Sequence, residues 1–492
     1  MTAFIRTVFL TLGLMGLVIA NAPAIASTLP IQDPPEEEIE KEIEAQEPEE
    51  GEDKAEEVVD EAKKDETESP YLAIVGGDIH TITHGVISSG TVLCKEARIL
   101  KVGQQVRVPE GARIVDATGM QVYPGLVAVN SRGIIRGSGT EAVDSFDPFN
   151  LYVDLALASG LTTVQAGSAI GKLTRGTLDG HLLDTTKWVT LSFSSSSPSN
   201  KRKVRSKMDQ AREFLRKKKE AELAKRLGED DIEMPTEKGV PMDYVGLLNG
   251  ERMARFNANN AKDLLGICEF LEEYPMQSVI FGGMEAWTLA PRLGRVDAAV
   301  VITPRQKRWA DDNLNRPNGW SIENARILWD SGVEVAILPG QTSISLGGLA
   351  GRDLMNLPME AAFAIRGGLP QEAALRSVTL NAARILGVSD RIGSIETGKD
   401  ADLIICNGDL FDYRTFVEWA VVNGRLVYDK QRASFFAHIR PRPEPEPKDA
   451  LETLVEVLDE LEEAVPVKGE VDDPEVDQPE SSSANSDSDD DS

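Results

Sequence analysis

Single apolar strands alternate with helical segments through the middle of the chain, and this alternation constrains the fold more than any other feature. Helical segments such as residues 261–274 and 321–332 separate the strands. Because a helix between two strands brings the chain back to its starting edge, such strands run parallel under a cover of helices. Seven segments fit buried parallel strands, at residues 122–129, 161–165, 188–193, 253–258, 277–283, 298–304 and 333–340.

Repetition of this length predicts an α/β fold, a (β/α)8 TIM-type barrel over residues 123–388. Seven strands are one short of that barrel, and we expect the eighth between residues 170 and 250. In such barrels the chemistry lies on the loops that follow the strands. The residues just after each strand are therefore the candidates for a functional site.

Both ends of the folded part have the sequence pattern of β-structure. Residues 71–122 contain short apolar runs separated by glycines, and residues 389–438 return to this pattern. Asn423-Gly424 between two apolar runs is a strong hairpin signal. We predict that these two segments form one composite β-sandwich domain.

The chain has three cysteines, and the sequence leaves their state open. Cys94 and Cys406 fall in the predicted composite domain, so they are the pair to consider for a disulfide. Cys268 would then stay unpaired. Each cysteine lies among apolar residues, which equally favours buried free thiols.

The negative charge of the chain, −29 in total, is concentrated at its two ends. Residues 33–68 carry 19 acidic and 4 basic side chains, and residues 444–492 carry 19 acidic and 2 basic ones. Such segments cannot bury enough apolar surface to offset chain entropy. We predict disordered acidic segments at residues 27–70 and 439–492, with a short helix at Leu451–Glu463, where leucine recurs at helical spacing.

Residues 1–26 have the pattern of a secretory signal peptide. Arg6 precedes an apolar run from Val8 to Ala20, and Ala24-Ile25-Ala26 fits a cleavage site. We therefore expect an exported protein, periplasmic or extracellular. No later stretch reaches the roughly 18 apolar residues that a membrane-spanning helix needs, so no membrane span is expected after signal cleavage.

A basic helical insertion interrupts the predicted barrel at residues 201–228. It carries 12 basic and 4 acidic side chains. A solvated helix face is the plainest interpretation. Because export is predicted, a polyanion, a protein partner or the chain's own acidic segments would be more suitable partners than nucleic acid.

Several motifs follow the order of a known family: "DATGMQVYPGLVAV", "GLTTVQAGS", "NANNAKDLLG", "GGMEAWTLAPRL" and, most specifically, "LRSVTLNAARILGVSDRIGSIETGKDADLIICNGD". On these motifs the chain resembles the amidohydrolase superfamily, in its imidazolonepropionase-like and dihydroorotase-like branch, over most of residues 71–430. The resemblance implies a barrel that uses zinc or another divalent metal, with both chain ends joined in a β-sandwich. It also implies hydrolysis of non-peptide carbon–nitrogen bonds in amides or cyclic amides.

The resemblance marks where the metal ligands of that family stand, and this chain has other residues there. The first strand of the family reads Pro-Gly-Leu-x-Asp-x-His-x-His, whereas this chain has Ala128, Asn130 and Arg132 at the Asp and His positions. A later His-Ala-His is matched by Asn257-Ala258-Asn259. Neutral amides are poor ligands for zinc and similar cations, and a guanidinium repels them.

The later ligand positions differ as well. The next strand ends in Gly282-Gly283, where a second histidine is usual, and the last strand ends in Pro339, Gly340 and Gln341, where the catalytic aspartate belongs. No histidine occurs between residues 182 and 437. We therefore predict that the chain has no metal site and uses no cofactor.

Two residues are weak candidates for acid–base catalysis. His181 follows the second strand, and Glu285 begins a helix after a later strand. A lone histidine lacks an orienting partner, and a glutamate also suits the positive start of a helix. His80, His84 and His438 are interpreted as surface or turn residues.

The mouth of the predicted barrel carries amides around one guanidinium. Such groups can bind a small anionic or amide ligand, or can form an internal hydrogen-bond network in a vacated metal site. The candidate binding residues are Asn130, Arg132, Gln165, Asn257, Asn259 and Gln341.

Three functions are compatible with these patterns. The loss of the ligand motifs favours an exported, non-catalytic binding or scaffold relative of the hydrolases. An active hydrolase with an atypical site around His181 or Glu285 is the first alternative. The second is a polyanion- or partner-binding protein that acts through residues 201–228 and the acidic segments. The ligand and the oligomeric state are not specified by the sequence.

Overall fold

The structure is a computed structural model, and it describes residues 69–135, 141–228, 233–346 and 352–433. The predicted signal peptide, the acidic residues of both chain ends, the helix expected at Leu451–Glu463 and His438 lie outside the described residues. Among the helices of the described ranges, none has the length and apolar character to cross a membrane.

The described strands follow one another along the chain as β1 (Tyr71–His80), β2 (Val86–Lys95), β3 (Arg98–Gly103), β4 (Arg113–Asp116), β5 (Gln121–Pro124), β6 (Leu126–Ala128), β7 (Leu161–Ala166), β8 (Ala169–Lys172), β9 (Leu182–Thr185), β10 (Trp188–Thr190), β11 (Met253–Ala258), β12 (Ser278–Gly282), β13 (Ala298–Ile302), β14 (Val335–Ile337), β15 (Leu403–Cys406), β16 (Val417–Val422) and β17 (Arg425–Asp429).

The described helices are α1 (Glu141–Asp144), α2 (Leu151–Ala158), α3 (Pro198–Arg226), α4 (Met242–Leu248), α5 (Ala261–Glu273), α6 (Ala290–Arg295), α7 (Asn324–Asp330), α8 (Leu357–Arg366), α9 (Gln371–Ser377) and α10 (Leu380–Leu386). Two short 3₁₀ helices lie at Ala286–Thr288 and Leu354–Asn356.

Strands from both ends of the folded part share one eight-stranded sheet. Its order is β17-β16-β15-β5-β1-β2-β3, with β4 also paired to β1. The predicted hairpin is confirmed, because Asn423 and Gly424 adopt φ values of 51° and 71° between the antiparallel strands β16 and β17. Positive φ at both turn residues matches the twist of the paired strands.

The three cysteines are buried free thiols. Burial raises the pKa of the Cys94 thiol to about 12 and the pKa of the Cys268 thiol to about 11. The alternative of a disulfide between Cys94 and Cys406 was therefore wrong for this structure. Apolar packing around each sulfur explains the outcome.

All seven strand segments expected in the middle of the chain contain strands. Strands β10 to β14 form a parallel five-stranded sheet, and β6 pairs parallel with β7 in a four-stranded sheet that continues to β8 and β9. At their ends the two sheets meet, because Arg132 N donates to Thr342 O at 2.8 Å and a parallel bridge joins Arg132 to Ser343. The architecture is a TIM-barrel-type fold with mixed α/β content.

The region expected to hold the eighth barrel strand contains a hairpin instead. Strand β8 pairs antiparallel with β7, and β9 pairs antiparallel with β8. The chain reverses after Ala166 through Gly167, whose φ of 60° is in the left-handed region that favours glycine. As a result, the strand pairs of the described residues do not close a ring.

Side chains of the barrel strands alternate between two cores. Along β11, Ala254, Phe256 and Ala258 belong to the core under the helices, whereas Met253 packs with the inner core. This inner core is apolar, and its buried members on the barrel strands and the β8–β9 hairpin are Val127, Val129, Ile170, Leu183, Val279, Phe281, Ala299, Val301, Ala336 and Leu338.

A buried lysine joins the barrel side to the eight-stranded sheet. Lys172 at the end of β8 is fully buried, and its Nζ lies 2.6 Å from Asp400 Oδ2, 2.8 Å from Asp402 Oδ2 and 2.6 Å from Asn423 Oδ1. Arg391 also contacts Asp400 Oδ2, at 2.8 Å. A buried charge is tolerated only when it is paired in this way.

We predict that Lys172→Met lowers the free energy of unfolding by about 3 to 5 kcal/mol, because it leaves two carboxylates buried with less compensation. Lys217→Met is the control, since Lys217 pairs with Glu213 at 3.5 Å on the surface and should cost less than about 1 kcal/mol. Urea unfolding measures both values. Similar losses for the two variants would contradict the role of Lys172 as the buried partner of the two carboxylates.

Candidate functional site

A cation lies on the inner face of the barrel strands. The Arg255 guanidinium on β11 is 4.2 Å from the centre of the Phe281 ring and 5.1 Å from that of Trp188. Its Nε is buried without a hydrogen-bond partner in the described part of the chain. Burial lowers the pKa of Arg255, and no nearby carboxylate raises it again. Arg255 therefore has no anionic partner among the described residues.

The strand register explains how Arg255 reaches this place. Arg255 pairs with Val279 and Asn257 pairs with Phe281 on the parallel strand β12. Side chains two positions apart share a face of a strand, so Arg255 and Asn257 both lie on the inner side. A cation over aromatic rings is stabilised by about 2 kcal/mol when it is desolvated. Sequence reasoning missed Arg255, although its spacing from Asn257 could have indicated it.

Four of the six predicted binding residues lie on one side of the mouth. Ser131, next to Asn130, donates from N and Oγ to Gln165 O at 2.7 and 3.0 Å. Gln165 is buried, and its Nε2 donates to the backbone carbonyl of Gly167 at 2.5 Å. Arg132 is exposed and is bonded through its backbone to Thr342, the neighbour of exposed Gln341.

The other two predicted binding residues lie on the five-stranded sheet. Asn257 is exposed, and Asn259 has a buried Oδ1 without a hydrogen-bond partner among the described residues. Gly282 has a φ of 106°, and a Cβ there would come within 2.2 Å of Asn259 Oδ1. No described hydrogen bond joins these asparagines to Arg132, so the arrangement of the six residues as one ring stays a prediction.

His181 lies in the protein core rather than at the open mouth. Its ring stacks on Phe146 with centroids 3.6 Å apart, and its Nδ1 donates to Lys172 O at 2.7 Å. Burial lowers the pKa of His181 below its ordinary value of 6.5. The side chain is 1% exposed, so a substrate does not reach it in this structure.

Glu285 is buried and has several backbone and side-chain partners. Its Oε2 accepts from Ala261 N at 2.8 Å, at the start of α5, and its Oε1 accepts from Gly319 N at 3.0 Å. Arg308 and Arg316 lie 3.4 and 3.7 Å from the same carboxylate. Glu285 therefore fixes a helix start and the loop after β13, which is a structural task.

The residues of the mouth do not fit a divalent metal. Across the described ranges, no group of three or more His, Cys, Asp or Glu side chains could hold a metal ion. The inner face instead presents apolar side chains such as Phe281 and Leu338, with the cationic Arg255 among the aromatic rings. Zinc and similar ions need thiolate, imidazole or carboxylate ligands.

The fold is that of the TIM-barrel-type proteins, and comparison with known proteins identifies their amidohydrolase class. Amidohydrolase from Thermotoga maritima MSB8 is a solved structure similar to this chain, with a TM-score of 0.55 and 25% identity over 73% of this chain and 100% of that protein. The sequence model of the Amidohydrolase family matches residues 291–433.

Two curated relatives indicate which branch of the amidohydrolases this chain resembles. Imidazolonepropionase from Geobacillus sp. is 24% identical over 417 residues, which cover 71% of this chain and 92% of that protein. Imidazolonepropionase from Thermoplasma volcanium is 31% identical over 121 residues, 23% of this chain and only 28% of that relative's length. The chain belongs to the amidohydrolase superfamily, in its imidazolonepropionase-like branch.

We predict that His181 makes the stability of the protein depend on pH. Because its pKa is lowered in the folded state, the unfolded chain binds the proton first, so stability is fully present above pH 6.5 and is lost as the pH falls below it. One such group changes the free energy of unfolding by up to about 1.4 kcal/mol per pH unit.

The measurement is urea unfolding at about pH 7.5 and about pH 5.5, on either side of the ordinary histidine pKa. His181→Leu should reduce the loss of stability between these two values. His84→Gln is the control, because His84 is exposed, and it should leave the loss unchanged. An equal loss in the His181 variant and the parent protein would contradict the assignment.

Proposed function

We propose that this chain is an exported, non-catalytic member of its superfamily that holds a small anion, rather than a metal, at the barrel mouth. Arg255 carries the proposal, because it is a partly buried cation without an anionic partner among the described residues. It lies two residues before Asn257, one of the positions where the family carries a metal-ligating histidine.

Electrostatics support the exclusion of a metal. A guanidinium keeps its charge at any ordinary pH. At 4 Å and an effective dielectric constant near 20, two unit charges repel by roughly 4 kcal/mol, and a dication doubles this. The amide oxygens of Asn257 and Asn259 do not offset such a cost as carboxylates would. A divalent ion beside Arg255 would therefore bind weakly.

The two candidate acid–base groups support a non-catalytic protein rather than an atypical hydrolase. Both carboxylate oxygens of Glu285 already accept hydrogen bonds from backbone amides. His181 is buried against Phe146. A general acid or base must come within hydrogen-bond reach of its substrate. Neither side chain is free to do so in this arrangement.

An anion is the ligand class that suits the mouth best. A desolvated cation gains from a carboxylate or phosphate, and a guanidinium can donate two parallel hydrogen bonds to either. Asn257 on the same face adds an amide donor, and exposed Arg132 adds a second cation at the rim. We therefore assign small carboxylates and phosphates as the ligand class.

The finer architecture belongs to the same proposal. The bridge between Arg132 and Ser343 supports closure of the barrel on that side. The shared sheet of residues 71–124 and 403–429 supports a composite β-domain built from both chain ends. The signal pattern in residues 1–26 supports export to the periplasm or the exterior.

We expect protein purified without chelators to contain far less than one zinc, iron or manganese ion per chain. Added zinc or a chelator should leave the melting temperature unchanged, because a ligand stabilises only the state that binds it. Elemental analysis and a thermal melt measure these outcomes. A stoichiometric transition metal would overturn the proposal.

We also expect one or more anions in a panel of small carboxylates and phosphates to stabilise the protein, by about 2.7 kcal/mol when the ligand is at 100 times its Kd. Arg255→Met should abolish this gain, and Arg132→Ala should reduce it. Arg252→Met is the matched control, because Arg252 pairs with Asp243 at 3.3 Å on the surface. A gain that survives in Arg255→Met, or no gain with any anion, contradicts the assignment.

A further inference from the structure

Helix α3 is divided into two parts that differ in packing. The first part ends near Leu215 and buries one stripe of side chains: Val204, Met208, Ala211 and Phe214. Their spacing of three and four residues is that of one helix face. Cations of this part lie over aromatic rings of the body, such as Arg205 over Phe193 and Arg212 over Tyr274. This part of α3 is thus an integral element of the fold.

The second part, residues 216–226, and the C-cap residue Leu227 together form what we call the outer arm, which buries no side chain. Its ion pairs within the described residues involve Arg216 and Lys217. Lys219 and Arg226 have no described carboxylate partner, and Leu223 and Leu227 are 57% and 74% exposed. The outer arm therefore offers both unpaired cations and unpacked leucines.

These groups share one face of the helix. Leu223 lies four residues after Lys219 and four before Leu227, and Arg226 is three residues after Leu223. Residues three and four apart are neighbours on a helix surface. A partner for this face needs apolar side chains in a helical repeat, with carboxylates beside them. A simple polyanion would satisfy the cations alone.

We propose that the outer arm binds the segment Leu451–Glu463 of the same chain. This segment, outside the described residues, contains six acidic and no basic side chains. Leu451, Leu454, Leu458 and Leu461 recur at spacings of three and four, which is typical of one helix face. The segment therefore supplies negative charges for the cations of the outer arm and apolar side chains for its leucines.

The length of the intervening chain allows this contact. Seventeen residues separate Ala433, where the described chain ends, from Leu451. Fully extended, this stretch reaches about 60 Å, whereas a body of about 365 residues has a radius of gyration of about 21 Å. Prolines at 441, 443, 445 and 447 favour an extended spacer. A tether of this kind gives an effective concentration on the order of millimolar.

The proposal is independent of the anion site, because it uses neither Arg255 nor the mouth. Energy transfer between two dyes tests it in the full chain, with labels on Glu222→Cys and Glu463→Cys. The three native cysteines are buried, so the engineered ones react first. We expect high transfer at low salt, and a loss of about half or more when Lys219→Glu and Arg226→Glu reverse the charges of the arm.

A charge swap distinguishes contact from loss of structure. Adding Asp459→Lys and Glu462→Lys to the reversed arm should restore the transfer, because these two positions flank the leucine face of the segment and opposite charges then face each other again. Lys101→Glu with Arg107→Glu is the control, since both side chains are exposed in the segment 71–122 rather than on α3, and should leave the transfer unchanged.

Three outcomes would overturn the proposal. The first is equal transfer in the parent and the arm-reversed protein. The second is transfer only after donor-labelled and acceptor-labelled molecules are mixed, which would assign the segment to a second copy. The third is low transfer in the parent together with salt-sensitive binding of the arm to heparin, which would assign the arm to an external polyanion.

Discussion

The buried ammonium of Lys172 holds the two main parts of the fold together. It ends a strand on the barrel side, and its partners Asp400, Asp402 and Asn423 belong to the segments that feed the eight-stranded sheet. With Arg391 on the same carboxylate, the charges neutralise one another, so the cluster can stay dry. A buried ion cluster of this kind fixes the orientation of the strands that it joins more than it stabilises the fold, because desolvation of the ions offsets much of their attraction. Both the mouth and the outer arm are presented by this fixed frame.

The inner face of the barrel is built mainly from apolar side chains rather than from metal ligands. Where a metal site needs convergent anionic or imidazole ligands, this chain has a continuous apolar core and one guanidinium over Phe281 and Trp188. Buried apolar side chains stabilise the strands through the hydrophobic effect, so the strand ends need no ion to stay in place. In the proposed function this cation takes the place of the metal as the positive charge of the site, and a guanidinium attracts anions rather than acting as a Lewis acid.

Much of the fold could be predicted from local patterns, whereas the key contacts could not. Buried parallel strands between helices appear as short apolar runs, and Asn423-Gly424 specifies its own hairpin. Nothing local distinguishes Gly167 as the point where β8 turns back along β7. A lysine is rarely buried, and the partners of Lys172 lie more than 200 residues away in sequence. The position of Arg255 depends on its register with β12, which no single segment reveals.

The distribution of charge follows from these separate roles. Cations that serve the fold are paired or lie over rings, such as Lys172 in the core and Arg205 on α3. Two sets of cations without a described carboxylate partner carry the proposals, namely Arg255 on the inner face of the barrel strands and residues such as Lys219 along the outer arm. In the anion site proposed around Arg255, a partly buried guanidinium favours a small ion, since desolvation strengthens each contact. In the contact proposed for the outer arm, an exposed row of cations beside leucines favours a long acidic segment, because many weak contacts must add along a helix. On these two proposals, burial alone separates a small-ligand site from a surface that binds an acidic segment.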